Sequence, residues 1–178
     1  MVTPIPTGRE RPAAVLLLLY ERAGEPVTLL TRRSQHVGGH KGEISLPGGA
    51  PEPGDESLYA TALRECWEEV GVEPAAVTLL GALDPVLTVV TNYAITPFVA
   101  RLARPVFTPN PREVDQLIEL PLRRLIEPGA LREELWQRDG VPRTIYFYSY
   151  GAHVIWGATA RILRQFTRSA YWPLAGAG

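Results

Sequence analysis

Nine consecutive residues, Arg64-Glu65-Cys66-Trp67-Glu68-Glu69-Val70-Gly71-Val72, hold the groups of this chain best suited to chemistry. At about 100° per residue of helix, Glu65, Glu68 and Glu69 share one side, at spacings i, i+3 and i+4. The opposite side carries Tyr59, Leu63, Cys66 and Val70, an apolar face that can lie against a sheet. Like charges at these spacings repel and weaken a helix. A bound cation would relieve the repulsion. Carboxylate oxygens are hard ligands that select Mg²⁺, Mn²⁺ or Ca²⁺, and such ions neutralise a pyrophosphate and orient an attacking water. A bare E-x-x-E-E is more often a solvated surface, so the reading depends on what stands around it.

The elements that must position this face follow from local patterns. Ala13–Tyr20 is a continuous apolar run ended by a polar turn, and it predicts a buried strand paired with a second at Val27–Thr31. Arg32 to Glu43 is a Gly-rich polar loop, and Pro47-Gly48-Gly49 breaks regular structure after Ile44-Ser45-Leu46. Asp55 or Ser57 can cap a helix from about Ser57 to Val70, with Gly71 as its stop. Val77–Leu83 and Tyr93–Leu102 read as strands joined by a loop over Asp84–Asn92. Glu113–Leu120 ends as strand, and Pro121 opens a short helix to Glu127. Leu131–Arg138 and Arg143–Tyr150 flank Asp139-Gly140, a hairpin signal, and Ala158–Thr167 has helical periodicity. The expected organisation is a flexible N-terminal arm over 1–12, one domain over 13–170 and a C-terminal tail over 171–178, disordered at its end. The mixed order of elements argues for an α/β (α+β) fold.

Bulk properties exclude several classes. The 178 residues carry a net charge of −1, with 46% hydrophobic and 21% charged residues, so no global attraction to nucleic acid or to anionic membranes is expected. The run 13–20 is too short to span a bilayer, and residues 21–25 lack a signal-peptide cleavage pattern. The single cysteine, Cys66, rules out an intramolecular disulfide and suits a cytoplasmic setting. Cys66 reads as core rather than as a nucleophile. His36 and His40, four apart among glycines and without a third soft ligand, read as loop residues rather than a zinc pair. Tyr146, Phe147, Tyr148 and Tyr150 read as a packed aromatic strand.

The acidic segment resembles the Nudix box, G-x5-E-x7-R-E-U-x-E-E-x-G-U. Arg64, Glu65, Glu68, Glu69, Gly71 and Val72 match, with Cys66 in the aliphatic place. The first half has two registrations. Counting back from Arg64 reaches Glu56 and Ala50; counting forward from Gly49 reaches Asp55, with one extra residue before Arg64. Pro47-Gly48-Gly49 favours the second. The resemblance implies the Nudix fold, a mixed sheet sandwiched between helices. It also implies Mg²⁺ or Mn²⁺ held by Glu65, Glu68 and Glu69 with the Gly48 carbonyl, and Arg64 orienting the carboxylates. A glutamate of the box or a later carboxylate, Glu113, Asp115 or Glu119, would take a proton from water.

Upstream, residues 29–49 resemble the coenzyme A pyrophosphatase subgroup, L-L-T-x-R-[SA]-x3-R-x3-G-x3-F-P-G-G. Leu29, Leu30, Thr31, Arg33, Ser34, Gly42, Pro47, Gly48 and Gly49 match, while Gly38 replaces an Arg and Leu46 a Phe. Ile155–Ala160 resembles a C-terminal segment of the same subgroup. A small-molecule substrate is thereby implied: coenzyme A or a derivative, cleaved to 3′,5′-ADP and 4′-phosphopantetheine. Arg32, Arg33, Ser34, His40 and Lys41 are the candidates for binding it. ADP-ribose or nucleoside triphosphates are the alternative substrates, and a non-catalytic nucleotide-binding module is the alternative class. A homodimer is left open.

Overall fold

The computed structural model describes residues 8–34, 42–88, 90–138 and 140–176. Strand β1 (Arg11–Arg22) contains the apolar run and extends it at both ends. Its side chains divide by parity. Leu17 and Leu19 enter one core cluster with Leu30, Ile155 and Phe166, whereas Ala14, Leu16, Leu18 and Tyr20 enter another with Ala62, Cys66 and Val70. A strand covered on both faces needs apolar residues at every position, which explains a run without alternation.

The chain then reverses through Ala23 and Gly24, both at positive φ (53° and 78°), into β2 (Glu25–Arg33), antiparallel to β1. That pairing covers only Leu19–Arg22 of β1 before the two strands diverge. Two very short strands fill the fork: β3 (Ile44–Ser45) pairs with β2 at Thr31–Arg32, and β4 (Gly48–Gly49) pairs with β1 at Ala14–Val15. Helix α1 (Leu58–Val70) follows. Next come β5 (Val77–Ala82), β6 (Val86–Leu87) and β7 (Tyr93–Leu102), the last parallel to β1 from Arg11 to Leu19. β5 and β6 pair antiparallel with β7, and β8 (Val114–Pro121) pairs antiparallel with β2. The result is a mixed eight-stranded sheet.

A second antiparallel sheet consists of β9 (Leu131–Arg138), β10 (Val141–Tyr150) and β11 (His153–Trp156), and it leads into α2 (Gly157–Phe166). Helix α1 covers one face of the large sheet through Ala62, Cys66 and Val70. Helix α2 and the small sheet cover the other through Tyr146, Tyr148, Ile155, Leu163 and Phe166.

Four expectations change. The short helix opened by Pro121 is 3-10 and ends at Leu125 instead of Glu127, with Pro121 both the last residue of β8 and the N-cap. The expected loop over Asp84–Asn92 contains β6. A four-residue strand, β11, precedes α2 where none is predicted. Near the C-terminus, the Trp172 ring packs edge-on against Phe166 at 5.4 Å, and Pro173–Ala175 forms a 3-10 turn; residues 177–178 lie outside the described residues. Among the described residues, no helix is long and apolar enough to cross a membrane.

Candidate active site

Both ends of α1 are fixed by its own sequence. Ser57 is the N-cap, its Oγ accepting from the Ala60 N–H at 3.1 Å. Gly71, at φ 71°, closes the last turn by donating its N–H to the Trp67 carbonyl at 2.9 Å. The segment between β7 and β8 then docks on the same end: Thr108 N–H donates to the Val70 carbonyl at 2.8 Å and Asn110 N–H to the Glu69 carbonyl at 2.9 Å. These bonds satisfy carbonyls that a helix leaves open at its C-terminus.

Arg64 gathers the polar side of α1. Its Nε and Nη2 donate to the two oxygens of Asp55 (3.1 and 3.0 Å), and its Nη1 donates to Glu65 and Glu68 (3.0 Å each). Nη2 also donates to the Ala50 carbonyl at 3.1 Å, which ties the loop entering the helix to its middle. Asp55 accepts further from the Glu52 N–H and the Thr61 hydroxyl, both at 2.9 Å. Arg64 and these donors hold the Asp55 carboxyl well below the usual carboxylate range. Asp55, not Glu56, therefore occupies the place of the acidic residue that pairs with the arginine.

Glu69 is the buried member of the acidic face, at 3% exposure. Burial pushes its carboxyl up to about 8, against the pull of Arg33, whose Nη1 lies 3.7 Å away. One of its oxygens, Oε2, is buried without a hydrogen-bond partner, and so is the Nε of Arg33. Glu65 is raised by burial and lowered again by Arg64. It lies directly under β4: a Cβ placed on Gly49 would stand 2.5 Å from its carboxylate. Glu113 adds negative potential to both Glu65 and Glu69. Glu113 is held there by Asn110, whose side-chain amide donates to it at 3.0 Å. Burial pushes the Cys66 thiol up to about 12, so it stays protonated and inert near neutrality.

A sequence model of the NUDIX domain matches residues 10–143. The chain is 39% identical over 163 residues to an uncharacterized Nudix hydrolase, NudL, of Photorhabdus laumondii, across 91% of this chain and 86% of that protein. The chain belongs to the Nudix family. It is a Nudix hydrolase with the Nudix fold, shared at TM-score 0.61 and 19% identity with a MutT/nudix family protein from Enterococcus faecalis (94% of this chain, 64% of that one). The NUDIX domain of Shewanella oneidensis NrtR, solved with ADP ribose, aligns at TM-score 0.53 and 22% identity over 66% of this chain and 77% of its own.

Within this Nudix hydrolase, the box residues Arg64, Glu65, Glu68 and Glu69 come together on α1, with Gly48 and Gly49 of β4 above them. Glu65 and Glu68 turn toward Arg64, and among the described residues no three Asp, Glu, His or Cys side chains converge on one point as they stand. A hard divalent cation suits the donor set present: an unpaired buried carboxylate oxygen, a second carboxylate beside it and a side-chain-free strand above. Of the substrate candidates, only Arg33 faces the acidic side among the described residues. Arg32 forms an ion pair with Asp115 at 2.6 Å, and Ser34 is buried, donating to the Arg112 carbonyl at 2.7 Å. His40 and Lys41 lie outside the described residues. Of the three later carboxylates, Asp115 is tied to Arg32 and Glu119 to Arg22, which leaves Glu113 next to the box. Asn110 was not singled out by sequence; its one signal is a place in the Pro-rich stretch before β8.

Proposed function

We propose that this Nudix hydrolase cleaves the pyrophosphate bond of coenzyme A or a close derivative, yielding 3′,5′-ADP and 4′-phosphopantetheine. The observation that carries the hydrolytic reading is Glu69, a buried carboxylate with one unpaired oxygen, set between Glu65 and Arg33. Glu65, Glu68 and Glu69, with the Gly48 carbonyl, would hold Mg²⁺ or Mn²⁺. The ion supplies charge neutralisation for the diphosphate and acidifies a bound water. Arg64 keeps the carboxylates in register, and Arg33 offers a guanidinium to a phosphate oxygen. Glu69 or Glu113 accepts the proton of the water as its oxygen bonds to phosphorus and the bridging P–O bond breaks.

The substrate is argued from residues 29–49, where Leu29-Leu30-Thr31, Arg33-Ser34, Gly42 and Pro47-Gly48-Gly49 resemble the coenzyme A pyrophosphatase subgroup. Gly38, where that subgroup has an arginine, favours a second reading in which ADP-ribose or a nucleoside triphosphate is cleaved. A panel of coenzyme A, acyl-coenzyme A, ADP-ribose and nucleotides with Mg²⁺ or Mn²⁺ separates them. We expect coenzyme A to be turned over by the wild type, with Glu69→Gln slower by at least about a hundredfold. Turnover of ADP-ribose alone would replace the substrate, and no turnover of any compound would refute hydrolysis of these substrates.

A further inference from the structure

On the face of the sheet opposite α1 lies an open groove of about 1280 Å³, bounded by β3, the stretch around β6, the β9–β10 hairpin and α2. It is larger than the pockets that enclose a small ligand, roughly 300–1,000 Å³. Its β3 wall, Ile44–Ser45, leads within three residues to Gly48, so the groove and the acidic face share one loop. Among the described residues, four arginines line it, Arg143, Arg161, Arg164 and Arg168, against two carboxylates, Glu43 and Asp84.

Arg161 and Arg164 are spaced i and i+3 on α2, which puts them on one side of the helix, and Arg168 lies just past its C-terminal end. Arg164 lies over the Tyr146 ring at 4.5 Å, and its buried Nε is ion-paired with Glu133 at 3.3 Å without hydrogen-bond geometry. Arg161 is half-buried. Burial, followed by Arg143 and Arg164, pushes its guanidinium below the ordinary value against the pull of Tyr146; among the described residues no carboxylate offsets it. A desolvated cation beside other cations is costly unless an anion joins it. Beside the arginines, Trp136 and Trp156 line the same groove with 46% and 42% of their surface exposed, in an aromatic cluster in which Trp156 stacks on Phe147 at 6.4 Å.

We propose that this groove binds a purine nucleoside through a 3′-phosphate monoester, with Arg161 and Arg143 holding that phosphate and Trp156 the base. The proposal rests on the coenzyme A reading, since the adenosine 3′-phosphate of coenzyme A is such a group and ADP-ribose has none. It assigns Arg161 as the residue that distinguishes the two.

Its test does not use turnover. Binding of adenosine 3′,5′-bisphosphate and of AMP is measured by calorimetry in the presence of chelator, for the wild type, Arg161→Gln, Arg143→Gln and Trp156→Ala. The bisphosphate should bind the wild type at least about tenfold more tightly than AMP. Either Arg→Gln change should remove most of that preference without weakening AMP, and Trp156→Ala should weaken both ligands alike. Arg143 is exposed on β10, so its variant keeps the test decisive if Arg161→Gln misfolds. Equal affinity of the wild type for both ligands, or an intact preference in both arginine variants, overturns the proposal. A preference found without turnover of coenzyme A would uphold the groove and sink the substrate reading; turnover without a preference would do the reverse.

Discussion

At the scale of single residues, Glu69 and the two glycines above α1 make separable predictions. Burial raises the Glu69 carboxyl from 4.5 to about 8. Between those values the folded chain holds a proton there that the unfolded chain has released. Stability should therefore be fully present below about pH 4.5 and fall as pH rises through 8. Urea unfolding in chelator should show this loss, on the order of a few kcal/mol, and Glu69→Gln should flatten it; a slope unchanged in the variant would contradict the assignment. Gly48 and Gly49 are neighbours with different constraints. The three atoms nearest a Cβ on Gly49 all belong to the end of the flexible Glu65 side chain, the closest at 2.5 Å. Gly49→Ala should keep the unfolding free energy within about 0.5 kcal/mol of the wild type while lowering activity roughly 10–100-fold, because Glu65 is displaced. Gly48 sits at φ 151°, and a Cβ there meets the Ala14 carbonyl oxygen at 2.2 Å and Val15 Cα at 2.6 Å. Backbone cannot swing aside, so Gly48→Ala should cost about 2–4 kcal/mol in the same unfolding assay. Equal loss of stability in the two variants would remove the distinction.

Element by element, α1 separates stability from chemistry. Removing its N-cap by Ser57→Ala should cost about 1 kcal/mol and leave turnover unaltered at temperatures well below the midpoint. Arg64→Lys keeps the charge but loses the planar fork that spans Asp55, Glu65 and Glu68. It should reduce activity about 10–100-fold, and full activity in steady-state assays would show that Arg64 does not position the carboxylates. Helix α1 was legible in advance because its signals are local: Ser57, the apolar stripe and Gly71 all act within a turn or two of one another. The same holds for β1, whose uninterrupted apolar run announces burial on both faces. The short strands β3, β4, β6 and β11 carry no such signal, since two to four residues show no period and their pairing depends on partners far along the chain. Site residues divide in the same way. That Glu65, Glu68 and Glu69 share one side of a helix could be read from spacing, whereas Asp55 and Glu56 stood in two competing registrations until Arg64 was seen to bond Asp55. That Arg33 meets Glu69, while Arg32 turns to Asp115, follows from strand parity and from β8 lying alongside β2. Glu113 was one of three equivalent candidates until the loop before β8 docked on the end of α1.

For the whole molecule, the large sheet separates two working faces, and β1 runs through both. Leu17 and Leu18 are adjacent and wholly buried, but Leu17 packs into the layer of α2 and the small sheet, and Leu18 into the layer of α1. Each Leu→Ala change removes the same atoms, and each should cost about 2–5 kcal/mol depending on how far its surroundings collapse. Their functional consequences should differ. A cavity at Leu18 lies beneath Ala62, Cys66 and Val70, on the helix that carries the acidic residues, so Leu18→Ala should lower both stability and divalent-ion affinity. A cavity at Leu17 loosens the layer under Leu163 and Phe166 instead. Leu17→Ala should leave ion affinity near that of the wild type and weaken binding of adenosine 3′,5′-bisphosphate in the arginine-lined groove. Titrating Mn²⁺ and the bisphosphate separately into each variant, at a temperature where both are folded, reads the two faces independently. Parallel losses of both ligands in both variants would mean that the sheet transmits strain across its thickness and that the two faces are one site mechanically.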